Sequence, residues 1–157
     1  MTYGLRVAMR TCRSSLLLVV LFVFAQPAGA QDGGVGLGIV SYGKPTGGEV
    51  TAYYGVSLTG RVWVGVQGTV GLGFQLRYSS VEGPVLFYPL STESRVAPYV
   101  GVSQGALWSE GRNSYYLTIP LGLEIQLRKR WVLIPEGFYD LRPERAAGLR
   151  VGIVYTF

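Results

Sequence analysis

From residue 31 onward the apolar and polar positions of this chain alternate with a period of two, and no stretch shows the three-and-four spacing of an amphipathic helix over three turns. Successive side chains of an extended strand point to opposite faces, so this period predicts strands with one apolar and one mixed side. The pattern is plainest at 149–157, where Leu149, Val151, Ile153, Tyr155 and Phe157 share one face and Arg150, Gly152, Val154 and Thr156 the other. It is as strict at 115–127, where Leu117, Ile119, Leu121, Leu123, Ile125 and Leu127 alternate with Tyr116, Thr118, Pro120, Gly122, Glu124 and Gln126.

The same reading predicts six further strands. The first covers 35–42, with Val35, Leu37 and Ile39 on one side, and ends in the glycine- and proline-bearing loop 43–48. The second, 49–58, sets Val50, Ala52, Tyr54, Val56 and Leu58 against Glu49, Thr51, Tyr53, Gly55 and Ser57. The third starts at Arg61 and sets Val62, Val64, Val66 and Val70 against Trp63, Gly65, Gln67 and Thr69. Residues 71–80 are ambiguous, because Phe74, Leu76 and Tyr78 alternate well enough for a strand of their own. They are assigned to the end of the third strand plus an outer loop, which keeps the strand count even. The fourth strand is then 81–90, and the fifth, 95–106, carries Val96, Pro98, Val100 and Val102 on its apolar side. The seventh, 131–141, sets Trp131, Leu133 and Tyr139 opposite Glu136 and Asp140. Proline removes a ladder donor, so bulges or locally missing bonds are expected at Pro84, Pro98, Pro120 and Pro135.

The first thirty residues differ from the rest. Arg6, Arg10 and Arg13 precede an apolar run at 16–25, followed by Pro27 and the small-residue site Ala28-Gly29-Ala30. This is the three-part layout of a secretory signal peptide, with cleavage expected after Ala30. Ten apolar residues are about half of the roughly 20 that a membrane-spanning helix needs. Residues 1–30 are therefore assigned to a signal peptide and 31–157 to one domain.

Loss of the leader changes the charge balance, since 11 of the 14 basic residues remain against 9 acidic ones, a net of +2 rather than +5. The basic residues are scattered and no helix-turn-helix or zinc spacing is present, which leaves nucleic-acid binding without support. Cys12, the single cysteine, belongs to the leader, so the remaining chain has neither disulfide nor thiol chemistry, and no cysteine stands at the cleavage site to carry a lipid.

Strands with one apolar face fit two opposite architectures, a membrane barrel with that face outward or a soluble barrel with it inward. The apolar phase contains no Asp, Glu, Lys or Arg, as either requires. The opposite phase discriminates: Thr51, Gly55, Ser57, Gly65, Gln67, Thr69, Gly101, Ser103, Gly122 and Gly152 are small or weakly polar, whereas about 25–35% of a soluble surface is charged. Small residues suit a narrow lumen. Strand lengths match a tilted membrane crossing of about 9–11 residues. Aromatic residues gather near strand ends, Phe87, Tyr88, Trp131, Tyr155 and Phe157 toward one rim and Tyr42, Trp108, Tyr115 and Tyr139 toward the other, in the manner of paired girdles.

With Ala97-Pro98-Tyr99-Val100-Gly101, Pro120-Leu121-Gly122-Leu123-Glu124 and the closing segment 148–157, the chain resembles the small eight-stranded outer-membrane proteins of the OmpA, OmpX and opacity-porin type. The resemblance implies a closed antiparallel up-and-down eight-stranded transmembrane β-barrel in the bacterial outer membrane, structural or weakly porin-like. Its surroundings would be outer-membrane lipid and lipopolysaccharide. It further implies that Leu149, Val151, Ile153, Tyr155 and Phe157 act as the signal read by the barrel assembly machinery. The short loops depart from adhesin-type members. The alternative is a secreted or periplasmic lipocalin-like ligand-binding barrel.

Candidate chemistry is sparse. The region 31–157 has no histidine and no cysteine, so the usual base of outer-membrane hydrolases and acyltransferases is missing, and neither metal nor cofactor is implied. Glycines 34, 36 and 38 fail the G-x-G-x-x-G pattern at Ile39. Glu124, Glu136, Asp140 and Arg150 share the inward phase, with Asp140 expected across the last hairpin from Arg150. They read as a salt-bridged lumen network, with acid/base work or gating as other uses. Arg112, Arg142 and Arg145 fall in outer loops, where they are candidates for lipopolysaccharide phosphates.

Overall fold

A computed structural model describes residues 31–43, 46–73, 77–90, 94–109, 112–141 and 146–157. The expected signal segment 1–30, Arg142 and Arg145 lie outside the described residues, as does the side chain of Arg112. Eight strands form a closed antiparallel barrel in sequence order: β1 (Gln31–Ser41), β2 (Thr46–Ser57), β3 (Val62–Leu72), β4 (Tyr78–Phe87), β5 (Val96–Ser109), β6 (Arg112–Arg128), β7 (Trp131–Asp140) and β8 (Ala146–Thr156). Closure is made by β1 against β8, from Gly34↔Thr156 to Ser41↔Leu149. Gly33 and Phe157 therefore mark one rim, with the turns β2–β3, β4–β5 and β6–β7. Ser41 marks the other.

The alternation resolves into an inside and an outside. Leu37 (68% exposed), Leu121 (64%) and Leu149 (68%) lie on the outer wall, as do Ile39, Val85, Val100, Ile119, Val151 and Ile153. The buried polar residues Glu49, Thr69, Ser80, Glu82, Ser103, Thr118 and Asp140 are in the opposite phase. A lipocalin-like barrel would have these faces reversed. A barrel abolishes sheet edges, so every strand finds two partners.

Several sequence expectations need correction. Residues 46–48 open β2 rather than lying in a loop, because Ser41↔Thr46 and Ile39↔Gly48 pair β1 with β2, and β1 begins at Gln31 rather than at 35. Residues 78–80 are strand rather than loop, because Gly71↔Tyr78 and Val70↔Ser79 pair β3 with β4; β4 accordingly ends at Phe87 and not at 90. Tyr88 is buried at 3% exposure and does not belong to a girdle. Its neighbour Phe87 takes the outward position and alternation turns Tyr88 inward. Tyr42 likewise packs edge-on against the buried ring of Phe138. Phe87, Trp108, Tyr115, Trp131 and Tyr139 do face outward near the strand ends.

The prolines leave gaps rather than bulges. Pairing of β3 with β4 stops at Val64↔Val85 and resumes at Gln67↔Glu82, skipping Pro84. Between β5 and β6 it skips from Val100↔Leu121 to Ser103↔Thr118, past Pro120. Between β6 and β7 it skips from Gly122↔Glu136 to Ile125↔Leu133, past Pro135. Pro98 lies just beyond the last β4–β5 pair, Phe87↔Val100. A register shift occurs between Gln126 and Arg128, at the tight β6–β7 turn.

Candidate functional site: a tyrosine-and-carboxylate lumen

The lumen is built on glycines. Inward-facing rings lie flat across neighbouring strands, and a Cβ at the position beneath would collide with them: Tyr53 covers Gly34, Trp63 covers Gly55 and Gly65, Tyr78 covers Gly71, Tyr99 covers Gly122 and Phe138 covers Gly148. In each case except Trp63 the ring belongs to the residue directly opposite its glycine in the register. Missing side chains thus leave berths that large ones occupy, and a barrel of eight strands, already narrow, fills from its own walls.

Two of these rings reach further, to a glutamate one more strand away. Tyr99 on β5 passes over Gly122 on β6, and its hydroxyl donates to Glu136 Oε2 on β7 at 2.6 Å; Tyr99, Gly122 and Glu136 are in one register row. Tyr78 on β4 passes over Gly71 on β3 and donates to Glu49 Oε2 on β2 at 3.0 Å, again in one row. Tyr88, one residue beyond β4, lies in a cluster with Ala97, which pairs with Glu124, and its hydroxyl donates to Glu124 Oε1 at 2.6 Å. The unit of a tyrosine, a glycine and a glutamate in one row of three successive strands thus occurs twice.

Arg150 sits among the carboxylates. Its Nε lies 2.8 Å from Glu49 Oε1 and its Nη1 lies 3.3 Å from Glu136 Oε1. The first contact is an ion pair by distance, since the Nε–H does not point along a hydrogen bond. The guanidinium also rests over the Phe138 ring, 5.2 Å from its centroid. Gly38, in register with Glu49 and Gly152, provides the small floor between β2 and β8.

Two further acids have hydroxyl partners. Glu82 accepts from Ser103 Oγ at 3.0 Å and Ser80 Oγ at 3.4 Å, and Asp140 accepts from Thr118 Oγ1 at 2.5 Å. Thr51 and Thr69 share a hydrogen bond of 3.2 Å beside them. Toward the Phe157 rim the lumen closes on an apolar cluster of Trp63, Tyr88, Ala97 and Tyr99, with Tyr53, Leu86 and Ile134 against it. A cavity of about 410 Å³ remains among these groups.

Of the four residues expected to form one network, Glu136 and Arg150 meet, while the other two go elsewhere. The register sets Glu136 opposite Arg150 and Asp140 opposite Ala146, so the anticipated Asp140–Arg150 pairing is replaced by Thr118. Glu124 is held by Tyr88 nearer the other rim. Glu49, on the mixed face of the second strand, and Glu82 are not among the residues the sequence singles out; the register that brings Glu49 to Arg150 runs through β1 and is not visible in either strand alone.

No protein-family model matches the sequence, and no curated protein sequence does. Solved structures of the same shape exist. Neisserial surface protein A superposes with a TM-score of 0.58 at 15% identity, over 84% of this chain and 100% of that one. The N-terminal β-barrel domain of Pseudomonas aeruginosa OprF gives 0.54 at 11% identity, over 80% and 99%. The Yersinia pestis outer membrane protein Ail, determined in a phospholipid bilayer nanodisc, gives 0.52 at 16% identity, over 80% and 99%. The fold of this chain is that of the small eight-stranded outer-membrane β-barrels.

Proposed function

We propose that the chain is an integral outer-membrane β-barrel whose lumen is a packed structural core with little solute flux. The observation that carries this reading is the outer wall: among the described residues, the outward phase of the eight strands holds no Asp, Glu, Lys or Arg between the two rims, while Leu37, Leu121 and Leu149 stand more than half exposed. In water such a wall would be a single apolar patch far beyond what monomeric soluble proteins tolerate; in lipid it is the required surface. The leader pattern at 1–30 supports export, and the terminal alternation supports recognition by the barrel assembly machinery. Hydroxyl-capped carboxylates and the absence of histidine and cysteine from 31–157 support a non-catalytic role. Arg112, Arg142 and Arg145 stay candidates for lipopolysaccharide contact.

Cell fractionation tests the reading. The protein is expected in the outer membrane, soluble only in detergent and shifted in gel mobility by heating, with negligible conductance in planar bilayers. A monomer soluble in plain buffer would overturn it in favour of a secreted or periplasmic barrel.

A further inference from the structure

The charges of the described residues are segregated. Apart from Arg150, the basic residues stand at the rims, and Arg95, Arg128, Lys129 and Arg130 form a continuous arc on the Phe157 rim. Arg95 immediately precedes β5 and its carbonyl accepts from Gln126 N at 2.9 Å, which sets it beside the end of β6. Arg128 ends β6, and Lys129 and Arg130 make the turn into β7. All four are exposed, and none has an ion-pair partner among the described residues.

Just inside this arc the outer wall is aromatic and then aliphatic. Trp131 and Tyr155 pack edge to face with centroids 5.3 Å apart, and the Tyr155 hydroxyl accepts from Arg130 Nη1 at 2.9 Å, fixing the guanidinium at the upper edge of the aromatic pair. The remaining N–H donors of Arg130 have no acceptor among the described residues. Beside them Val96 and Leu127 are about half exposed. Aliphatic wall, amphipathic rings and unpaired cations follow one another along the barrel axis in the order of acyl chain, interface and headgroup phosphate.

We infer that this sector, Arg95, Arg128, Lys129, Arg130, Trp131 and Tyr155, is a binding surface for an anionic phospholipid of the leaflet at the Phe157 rim. The inference rests on the membrane reading above. Guanidinium groups suit phosphate because they present several donors in one plane, and clustered cations beside a bilayer favour anionic lipid.

The test uses the protein reconstituted in phosphatidylcholine vesicles with trace spin-labelled lipid, reading the motionally restricted fraction by electron paramagnetic resonance. The native protein should restrict labelled phosphatidylglycerol several-fold more than labelled phosphatidylcholine. The combined variant R95Q/R128Q/K129Q/R130Q should lose that preference and restrict the two lipids equally, while R77Q on the opposite rim keeps it. Heat-shifted gel mobility establishes that each variant is folded and inserted. Equal restriction of the two lipids by the native protein, or a preference that survives in the combined variant, overturns the proposal and leaves the membrane reading standing. So does a preference for lipid A over phosphatidylglycerol that depends on these four residues. Failure of the native protein to insert at all overturns both.

Discussion

Tyr99 lies across Gly122 to place its hydroxyl 2.6 Å from Glu136, so one ring bridges β5 and β7 without a side chain between them. A Cβ at Gly122 would come 2.5 Å from the Tyr99 hydroxyl oxygen. Gly122→Ala should displace the ring from its acceptor and destabilise the barrel by about 1–3 kcal/mol, the usual cost of overpacking. Gly83 offers the control, since a Cβ there meets nothing closer than 3.9 Å, and Gly83→Ala should stay within about 0.5 kcal/mol. Urea midpoints in lipid vesicles measure both.

Arg150 is the shared counter-charge of Glu49 and Glu136, whose side chains are 3% and 12% exposed. Arg150→Leu should cost roughly 3–5 kcal/mol, because two carboxylates then lose their cation in a confined space. The triple variant E49Q/R150L/E136Q should recover most of that loss, since neutral amides need no counter-charge. An unchanged unfolding midpoint for R150L would remove the ion cluster from the account of stability.

The outer wall is tested at Leu121, midway along β6 and 64% exposed. Leu121→Arg should cost about 2–4 kcal/mol in a bilayer, as expected for a lipid-facing arginine near the midplane. The change would be well tolerated on a barrel whose outer face met water. Comparison of folding yield in vesicles with that of L121T separates the two environments.

Phe157 covers Gly33, where a Cβ would fall 2.7 Å from its Cε2, and its amide donates to the Gly33 carbonyl at 3.1 Å. Phe157→Ala should leave the closed register of β1 and β8 intact but slow delivery to the outer membrane, seen as precursor or periplasmic protein in a pulse–chase fractionation. Normal assembly kinetics would reduce the ring to a packing role.

The strands were legible because their period is local. Leu117 to Leu127 declares its two faces without reference to any partner, and the small inward residues chose between lipid and water outside. The lumen partners were not legible in the same way. Asp140 and Glu136 have the same phase on β7, and only the hairpin register decides that Arg150 opposes Glu136. Glu49 is about a hundred positions away from Arg150 and is brought to it by barrel closure through β1. Tyr88 has the sequence position of a girdle residue but not its orientation, because proximity to a strand end does not determine the face. The next residue along the strand does, and Phe87 had already taken the outside.

The proline gaps divide the wall unequally. All three interrupted seams, β3–β4, β5–β6 and β6–β7, lie on one side of the barrel, whereas pairing is unbroken from β7 through β8, β1 and β2 to β3. That five-strand stretch carries Glu136, Arg150 and Glu49. In amide hydrogen exchange the molecule should therefore behave as two bodies, a slowly exchanging half cross-tied by its ion cluster and a faster half opening along the seams beside Pro84, Pro120 and Pro135. The barrel is closed in outline but asymmetric in how it comes apart.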